Sequence, residues 1–327
     1  YDYSSAISFG AEYNYGSKYW FSATQGAEDM FNKLATRGSV GEAYAIWNYY
    51  KNLSAKIGYM HSKENYTGSG WHFGEPSAKL SFGKVGEEDI VFLPRHGESH
   101  QLLPSEVNYR ANIWALKSVG VKRIISFSAT GSLREEIKPG EFALPSQYFD
   151  FVKDGRPKSF FGDGLVAHIT SAEPVCSTLR NQIFSSGQTL KLPIHDNLTY
   201  GCVDGPRLGT RAESFFLRDS AGCDLVGMTN IPEAFLAREA QMCYSTVAIP
   251  TDYDCWMDDP SQHVTVPQLL KRYSESLESA LGLLKHTIQN HDHQQKCECQ
   301  SSLEGALMFD PTLLSGGHKI MMDVLLK

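Results

Sequence analysis

The chain has 327 residues, a formal net charge of −7 and a pI near 5.9, with 42% hydrophobic and 20% charged residues. These values are typical of a globular protein with a large apolar core, and they exclude a disordered chain or a fibrous repeat. Lys/Arg clusters do not exceed two residues, so we expect no nucleic-acid partner. No apolar run reaches the roughly 18 residues that a membrane-spanning helix needs, so we expect a cytoplasmic protein without a membrane partner.

The first part of the chain differs in composition from the rest. Residues 1–71 hold ten of the sixteen tyrosines and three of the five tryptophans. Apolar and polar residues alternate in 7–15 and 53–59, which is the period of a β-strand. We interpret residues 1–72 as a separate, atypical segment of β-hairpins or a fused fragment. The strands of outer-membrane barrels give the same pattern, but the signal of each strand is weak and we favour the hairpin interpretation.

From residue 73 onward the pattern is that of an α/β protein, with short apolar runs at 90–93 and 124–127 between amphipathic stretches. Residues 108–119 form a predicted helix with Ile113, Leu116 and Val119 on one face, ended by Gly120. We expect one domain over 73–327, built on a mixed central β-sheet flanked by helices.

The end of the chain is predicted to close this domain. Residues 266–288 repeat the helical pattern and should form a long closing helix whose apolar positions include Tyr273, Leu277, Leu281 and Leu284. A tail begins at about residue 291, with a polar surface loop over 291–300. The apolar segment 303–327 then docks as a helix.

Seven cysteines are scattered through apolar surroundings, which predicts reduced thiols rather than a disulfide framework. Only Cys297 and Cys299 lie close together in the sequence. Because no second Cys pair or His pair stands at ligand spacing, we expect free or redox-sensitive thiols and no metal site.

Polar groups follow three of the predicted strands. Arg95 and His96 come directly after the first and precede a glycine, at the sheet edge where open α/β sheets bind ligands. The Arg fork suits phosphate, although an ion pair and a satisfied His would give the same pattern. Residues 128–132 (Ser-Ala-Thr-Gly-Ser) follow the second strand, and their backbone N–H groups can approach an anion closely.

Two carboxylates, Asp252 and Asp254, follow the third strand and are flanked by Tyr253 and Trp256. Burying both acids without partners would be costly, and a heterocycle with N–H donors is a natural partner. A loop with two solvated acids is the alternative interpretation.

Residues 73–327 resemble the 5'-methylthioadenosine phosphorylases of the purine nucleoside phosphorylase group. Several short sequence motifs of this family occur here in the same order as in its members. They lie at 95–97, 107–116, 131–137, 205–207, 211–214, 228–233 and 251–256. The resemblance implies phosphorolysis of 5'-methylthioadenosine to adenine and 5-methylthioribose 1-phosphate. It implies inorganic phosphate as co-substrate, no cofactor and no metal, and a homotrimer or homohexamer. It further implies a role in purine and methionine salvage.

The resemblance also implies roles for individual residues. The implied phosphate pocket comprises Arg95, His96, Ser128, Ala129 and Thr229. Asp252 and Asp254 match the acids that face purine N7 and the 6-amino group, and Met228 lies against the ribose. Leu208 stands where a base-stacking phenylalanine is common. The residues that match those around the methylthio group, some of them reaching in from a neighbouring subunit, are His168, Val266, Leu269 and Leu270.

The expected chemistry follows from charge. Breaking the C1'–N9 bond leaves positive charge on the sugar and negative charge on the purine, so phosphate below C1' and a proton donor at N7 both stabilise the transition state. Asp252 is the candidate donor, with an expected contribution of about 10² to 10⁴ in rate. A 6-oxo purine would turn an acceptor toward a carboxylate, which costs roughly 1 to 3 kcal/mol.

One feature of the family is missing. Its members begin with a strand and a glycine-rich turn that holds phosphate, whereas the only adjacent glycines here are Gly316 and Gly317 in the tail. We therefore expect the family topology from residue 73, but weakened phosphate binding or no activity. The alternative functions are a phosphorylase for 6-oxo nucleosides and a non-catalytic, nucleoside-binding chimera.

Overall fold

The computed structural model describes residues 7–15, 38–50, 53–64, 72–258, 266–291 and 297–327. The chain divides into two compact units, Tyr1–Gly74 and Glu75–Lys327. In the first unit, β1 (Ile7–Tyr15), β2 (Gly38–Tyr50) and β3 (Leu53–Glu64) form an antiparallel sheet in that order. The predicted alternation of apolar and polar side chains in these strands lies outside what the structure describes. The origin of this segment as a fused fragment stays a prediction.

The second unit alternates strands and helices, which confirms the predicted α/β class. Its strands are β4 (Ser81–Val85), β5 (Glu88–Phe92), β6 (Arg123–Ser132), β7 (Phe142–Asp150), β8 (Ile194–Cys202), β9 (Leu225–Gly227) and β10 (Cys243–Asp252). Its helices are α1 (Tyr109–Ser118), α2 (Ser177–Thr189), α3 (Arg211–Phe215), α4 (Asn230–Glu239), α5 (Val266–Gln289) and α6 (Gly316–Leu325).

Five strands close into a mixed barrel in the order β10-β6-β9-β8-β7. β6 runs parallel to β10, and β8 runs parallel to both β7 and β9, whereas the β6–β9 and β10–β7 contacts are antiparallel. Every residue of β10 is buried, as expected for a central strand that is covered on both faces.

Helices cover β10 from both sides and build the core. On one side Leu179 and Ile183 of α2 and Leu283 of α5 pack with Val247 and Ile249. A second cluster joins strand residues to the start of α4. Each of these large aliphatic side chains contributes about 1.5 to 3 kcal/mol when it is fully buried.

The predicted bounds of α1 are confirmed. The Asn108 side chain accepts a hydrogen bond from the Ala111 N–H, which satisfies one of the free donors at the start of the helix. The helix ends at Ser118, and Gly120 adopts φ +92°, a left-handed conformation that glycine takes without strain.

The hairpin of β4 and β5 forms a sheet of its own beside the barrel. Within the described part of the chain, β6 pairs with β10 along its length and, on its other side, only with β9 through Gly131 and Ser132. The rest of that edge faces a cavity that β5 also lines. We call this open edge between β5 and β6 the slot; that a missing strand of the family would occupy it stays a prediction.

The long closing helix is confirmed, but the prediction of its apolar face is wrong at two positions. Leu277 and Leu281 are 46% and 57% exposed, because they face the open slot and line its cavity. The buried face of α5 instead carries Ala280, Leu283 and Thr287.

The tail docks on the unit through Met321, Met322 and Leu325 of α6, but the predicted helix over 303–327 is confirmed only for Gly316–Leu325. The predicted polar surface loop over 291–300 is wrong at Cys299, which is 6% exposed and lies in a 3₁₀ turn. None of the described helices combines the length and hydrophobicity that a bilayer crossing requires.

Candidate active site

One cavity of about 1950 Å³ brings together most of the residues that the sequence analysis singles out. It exceeds the roughly 300 to 1000 Å³ of an ordinary ligand pocket because it runs on into the slot beside β5. The predicted residues that line it are Arg95, His96, Ser128, Ala129, Leu208, Met228, Thr229, Asp252 and Asp254.

The two acids lie where β10 ends. Asp252 is 5% and Asp254 6% exposed. The Thr251 hydroxyl donates to Asp252 Oδ2 at 2.7 Å, and the Asp254 N–H donates to Oδ1 at 2.8 Å. These bonds fix the plane of the Asp252 carboxyl group, so the interpretation of two solvated acids is wrong.

Burial raises the pKa of Asp252 to about 6, and repulsion from Asp254 acts in the same direction. Burial also raises the pKa of Asp254 above its ordinary value. A carboxyl group that titrates near neutral pH can donate a proton and recover it, which suits general acid catalysis.

A glycine of β6 makes room for these acids. A Cβ at Gly131 would lie 3.1 Å from Asp254 Cβ, 3.3 Å from Asp252 Oδ1 and 3.0 Å from Val226 Cγ1. The close approach of β6 to the acids therefore requires glycine at this position. Asp254 itself adopts φ +50°, a conformation that is uncommon for a residue other than glycine.

Arg95 forms a buried, bidentate ion pair with Glu233. Its Nε lies 2.5 Å from Glu233 Oε2 and its Nη2 2.7 Å from Oε1, while Nη2 also bonds to the Ser126 hydroxyl. The Tyr244 hydroxyl donates to Glu233 at 2.8 Å. The fork that the sequence analysis assigns to phosphate is thus engaged by a carboxylate. Arg95 Nη1 is the guanidinium nitrogen that takes no part in this ion pair. The role of Arg95 in binding phosphate stays a prediction.

The His96 ring has a defined orientation. Its Nδ1 lies 2.8 Å from the Leu102 carbonyl, so Nδ1 carries the proton and the neutral ring keeps a lone pair on Nε2. Burial and the charge of Arg95 hold the pKa of His96 below its ordinary value. The ring of His100 stacks on it with centroids 4.5 Å apart.

The prediction that residues 128–132 follow the second strand is wrong, because they are the last residues of β6 and pair with β10 and β9. The hydroxyl groups of Ser128 and Thr229 line the cavity. Ser128 Oγ is 3.2 Å from Thr229 Oγ1 and 3.3 Å from Asn230 Oδ1. Thr229 precedes the range of α4, and Ile231 within that range is extended (φ −111°, ψ 125°), so the regular turns of the helix begin only after it. Among the described side chains, the buried Thr130 Oγ1 finds no hydrogen-bond partner, which leaves it available to a ligand.

Arg156 is a site residue that sequence reasoning missed. It is 5% exposed and donates to the carbonyls of Met228 at 2.8 Å, Ile231 at 3.2 Å and Asp204 at 3.0 Å. It therefore holds the two loops that flank the cavity. A Cβ at Gly205 would lie 2.4 Å from Met228 Sδ, so this glycine makes room for the Met228 side chain.

The remaining predicted residues lie less centrally. Leu208 lines the cavity but is 36% exposed. His168 is exposed, and its N–H bonds to the Ala306 carbonyl away from the cavity. The other three predicted residues are Val266, Leu269 and Leu270. They belong to α5, and the structure does not describe their side chains. Their roles at the methylthio group stay predictions.

Comparison with known proteins identifies the family of the second unit, but it corrects the prediction that residues 1–72 lie wholly outside that family, because the match begins at residue 56. Residues 56–288 match the phosphorylase superfamily model, and residues 1–88 match that of a protein of unknown function (DUF3373). The S-methyl-5'-thioadenosine phosphorylase of Geobacter sulfurreducens is 42% identical over 254 residues, which cover 78% of this chain and 88% of that protein. The Hyperthermus butylicus protein of the same name is 44% identical over 236 residues, covering 72% and 86%.

Solved structures give the same result. A methylthioadenosine phosphorylase from an antarctic soil metagenomic library aligns with a TM-score of 0.74 at 38% identity, covering 79% of this chain and 90% of that one. The methylthioadenosine phosphorylase of Schistosoma mansoni in complex with adenine aligns at 0.69 and 34%, covering 72% and 91%. The chain therefore belongs to the phosphorylase superfamily and, within it, to the S-methyl-5'-thioadenosine phosphorylases.

Proposed function

We propose that this chain catalyses the phosphorolysis of 5'-methylthioadenosine to adenine and 5-methylthioribose 1-phosphate, with inorganic phosphate as co-substrate and no further cofactor. The observation that carries the proposal is one cavity lined both by the buried acid pair and by Arg95, Ser128 and Thr229, to which we assign the phosphate. The names of the relatives and the adenine bound in the Schistosoma mansoni structure support the choice of nucleoside.

The spacing of the two ends suits a nucleoside with phosphate behind its sugar. Ser128 belongs to the anion end, and Gly131 touches the acids, three residues further along β6. Because a strand rises about 3.3 Å per residue, the two ends lie about 10 Å apart. We therefore assign the base to the acid end and the sugar to the space between, with Met228 against the ribose.

Asp252 acts as the general acid in this assignment. Its proton passes to purine N7 while the C1'–N9 bond breaks and the bonding electrons move onto the purine, which leaves as neutral adenine. The pKa of about 6 supports this role, since about one carboxyl in ten is then protonated at pH 7, against fewer than about one in a thousand at the ordinary value of 3.8. Asp254 accepts a hydrogen bond from the 6-amino group.

The phosphate dianion attacks C1' from the opposite face of the sugar. We assign its contacts to the hydroxyls of Ser128 and Thr229, to Ala129, and to Arg95 through Nη1. Because His96 Nδ1–H is engaged by a carbonyl, Nε2 accepts the hydrogen of the phosphate O–H. Glu233 holds the Arg95 plane rather than touching substrate.

The acid pair favours adenine over 6-oxo purines. A 6-oxo group would place a carbonyl oxygen against Asp254 when that residue is ionised, and two facing acceptors cost roughly 1 to 3 kcal/mol. That corresponds to a preference of about 5-fold to 150-fold for the 6-amino base.

One observation favours a second candidate, nucleoside binding without turnover. The slot between β5 and β6 leaves the anion end more open than a closed phosphate pocket would be. In that case methylthioadenosine would bind at the acid end while phosphate bound too weakly to react.

The experiment incubates the full chain with methylthioadenosine, with and without phosphate, and follows adenine release. The proposal requires release only with phosphate and slower turnover of inosine. Phosphate-independent release would identify a hydrolase, and faster turnover of inosine would identify a 6-oxo phosphorylase. Calorimetric binding of methylthioadenosine without release would select the non-catalytic alternative.

We also propose a homotrimer or homohexamer that acts in the cytoplasm, in purine and methionine salvage. The exposed position of His168 supports the assembly, since its implied contact with the methylthio group would then be made in the cavity of a neighbouring copy. Sedimentation of the full chain measures the assembly, and a monomer would contradict it.

A further inference from the structure

Four cysteines from distant parts of the sequence meet in the core of the second unit. The sulfur atoms of Cys176, Cys243, Cys297 and Cys299 all lie within 4.8 Å of one another, and Cys176 Sγ is 3.4 Å from Cys297 Sγ. Three of the four residues are buried, and the fourth, Cys297, is half-buried.

These distances suit a metal ion better than disulfides. Four sulfurs at about 2.3 Å from a zinc ion, arranged as a tetrahedron, stand about 3.8 Å from one another. A disulfide would bring two sulfurs to about 2.05 Å. All the sulfur pairs of the cluster lie within 4.8 Å, a range that includes the tetrahedral spacing, and the Cys176–Cys297 pair at 3.4 Å is well beyond bonding distance.

We propose that Cys176, Cys243, Cys297 and Cys299 form a tetrathiolate site that binds one structural zinc ion. The four-sulfur donor set is the chemistry that selects zinc, and a closed set without an open position is typical of structural rather than catalytic sites.

The surroundings of the cluster stabilise negative sulfur. The Leu179 N–H, in the first turn of α2, donates to Cys176 Sγ at 3.4 Å. Arg238 places Nη1 4.0 Å from Cys299 Sγ. Such groups around the ligands orient them and balance the charge of a tetrathiolate site.

The cluster differs from the other buried thiols of the chain. Its four sulfurs lie close enough together to share one ion, whereas Cys202 and Cys223 are not part of the group. Burial raises the pKa of Cys202 to about 12 and that of Cys223 to about 11, as expected for inert single thiols in a core.

The position of the cluster indicates its role. Cys243 begins β10 and Asp252 ends it, so at about 3.3 Å per residue the cluster lies about 30 Å from the acid pair. Cys297 and Cys299 belong to the tail, whereas Cys176 caps α2. A zinc ion here would tie the tail to the core and would not touch the nucleoside.

The test measures zinc in the full chain, purified without chelators and without a metal-binding tag. We expect about one zinc per chain by mass spectrometry of the metal and four sulfurs at about 2.3 Å by X-ray absorption. Replacement by cobalt should give the intense visible bands of a tetrahedral cobalt thiolate, a readout that needs no variant. Removing the metal should lower Tm by on the order of 10 °C.

Cys243→Ser and Cys299→Ser should lose the zinc, whereas Cys223→Ser, a buried cysteine outside the cluster, should keep it. The proposal would be overturned if the purified protein contained no metal and all of its cysteine thiols could be alkylated after unfolding. A mass lowered by 2 or 4 Da would also overturn it, because it would reveal disulfides. A red, iron-containing protein would overturn the choice of zinc.

Discussion

Replacing Asp252 by Asn should make the protein more stable and far less active. In the folded protein the carboxyl has a pKa of about 6 against an ordinary value of 3.8, because burial removes water from its charge. This difference of about 2 pKa units corresponds to about 3 kcal/mol of cost when the group is ionised. An amide carries no charge, so the variant escapes that cost.

The sign of the pH dependence is fixed by the raised pKa. Between pH 3.8 and about 6 the folded chain binds the proton more tightly than the unfolded chain, so stability falls as pH rises through this window. Above pH 6 the full cost is present. The advantage of Asp252→Asn should therefore be largest at pH 7 to 8 and should vanish near pH 4.

Urea unfolding at pH 5 and pH 8 measures the effect. At pH 8 we expect the free energy of unfolding of the variant to rise by up to about 3 kcal/mol, reduced by about 1 kcal/mol for a weakened hydrogen bond to Thr251. At pH 5 the rise should be much smaller. The half-exposed Asp219, changed to Asn, is the control and should stay within about 0.5 kcal/mol. A gain that is equal at both pH values, or a loss at both, would refute the reasoning. Adenine release should fall about 10² to 10⁴-fold.

Three further predictions concern the two ends of the cavity. Gly131→Ala should lower the free energy of unfolding by about 1 to 3 kcal/mol and lower kcat/KM by displacing the acids. The control Gly282→Ala faces open space in α5 and should not destabilise the protein. Equal effects of the two substitutions on unfolding and on kinetics would contradict this prediction. Glu233→Gln should cost about 3 to 5 kcal/mol in urea unfolding because it strands a buried Arg95, and an unchanged midpoint would contradict the ion pair. At saturating phosphate, kcat/KM should fall as pH rises through about 6, and a flat profile between pH 5 and 8 would exclude Asp252 as the acid.

Local patterns predicted α1, α5 and the strands β5, β6 and β10, but not the other helices and strands of the barrel. Asn108 directly precedes α1 and Gly120 follows shortly after its end, and both act through hydrogen bonds of the neighbouring backbone. The acids follow an apolar strand, so their position at the sheet edge could be inferred. What they contact there required the fold.

Contacts between distant residues were beyond sequence reasoning. Arg95 and Glu233 are 138 residues apart, and an arginine at a strand end gives no sign of whether a carboxylate or a phosphate engages it. Cys176 lies 121 residues from Cys297, so the spacing rule for metal ligands could not join them.

The exposure of α5 shows a different limit. Its apolar period predicts burial at Leu277 and Leu281, yet both face the slot where β6 lacks a neighbour within the described chain. A periodic pattern shows which face is apolar, but the elements present decide whether that face is covered. Arg156 was missed for a related reason, since its role is to hold backbone carbonyls that carry no sequence signal.

Phosphorus NMR of the complete reaction tests the central claim most directly. The full chain is mixed with methylthioadenosine and phosphate, and the signals of inorganic phosphate and of a sugar 1-phosphate are followed while adenine is quantified. We expect one sugar phosphate for each adenine released. Adenine accompanied by free sugar, or no change in the phosphate signal while the nucleoside is bound, would contradict it.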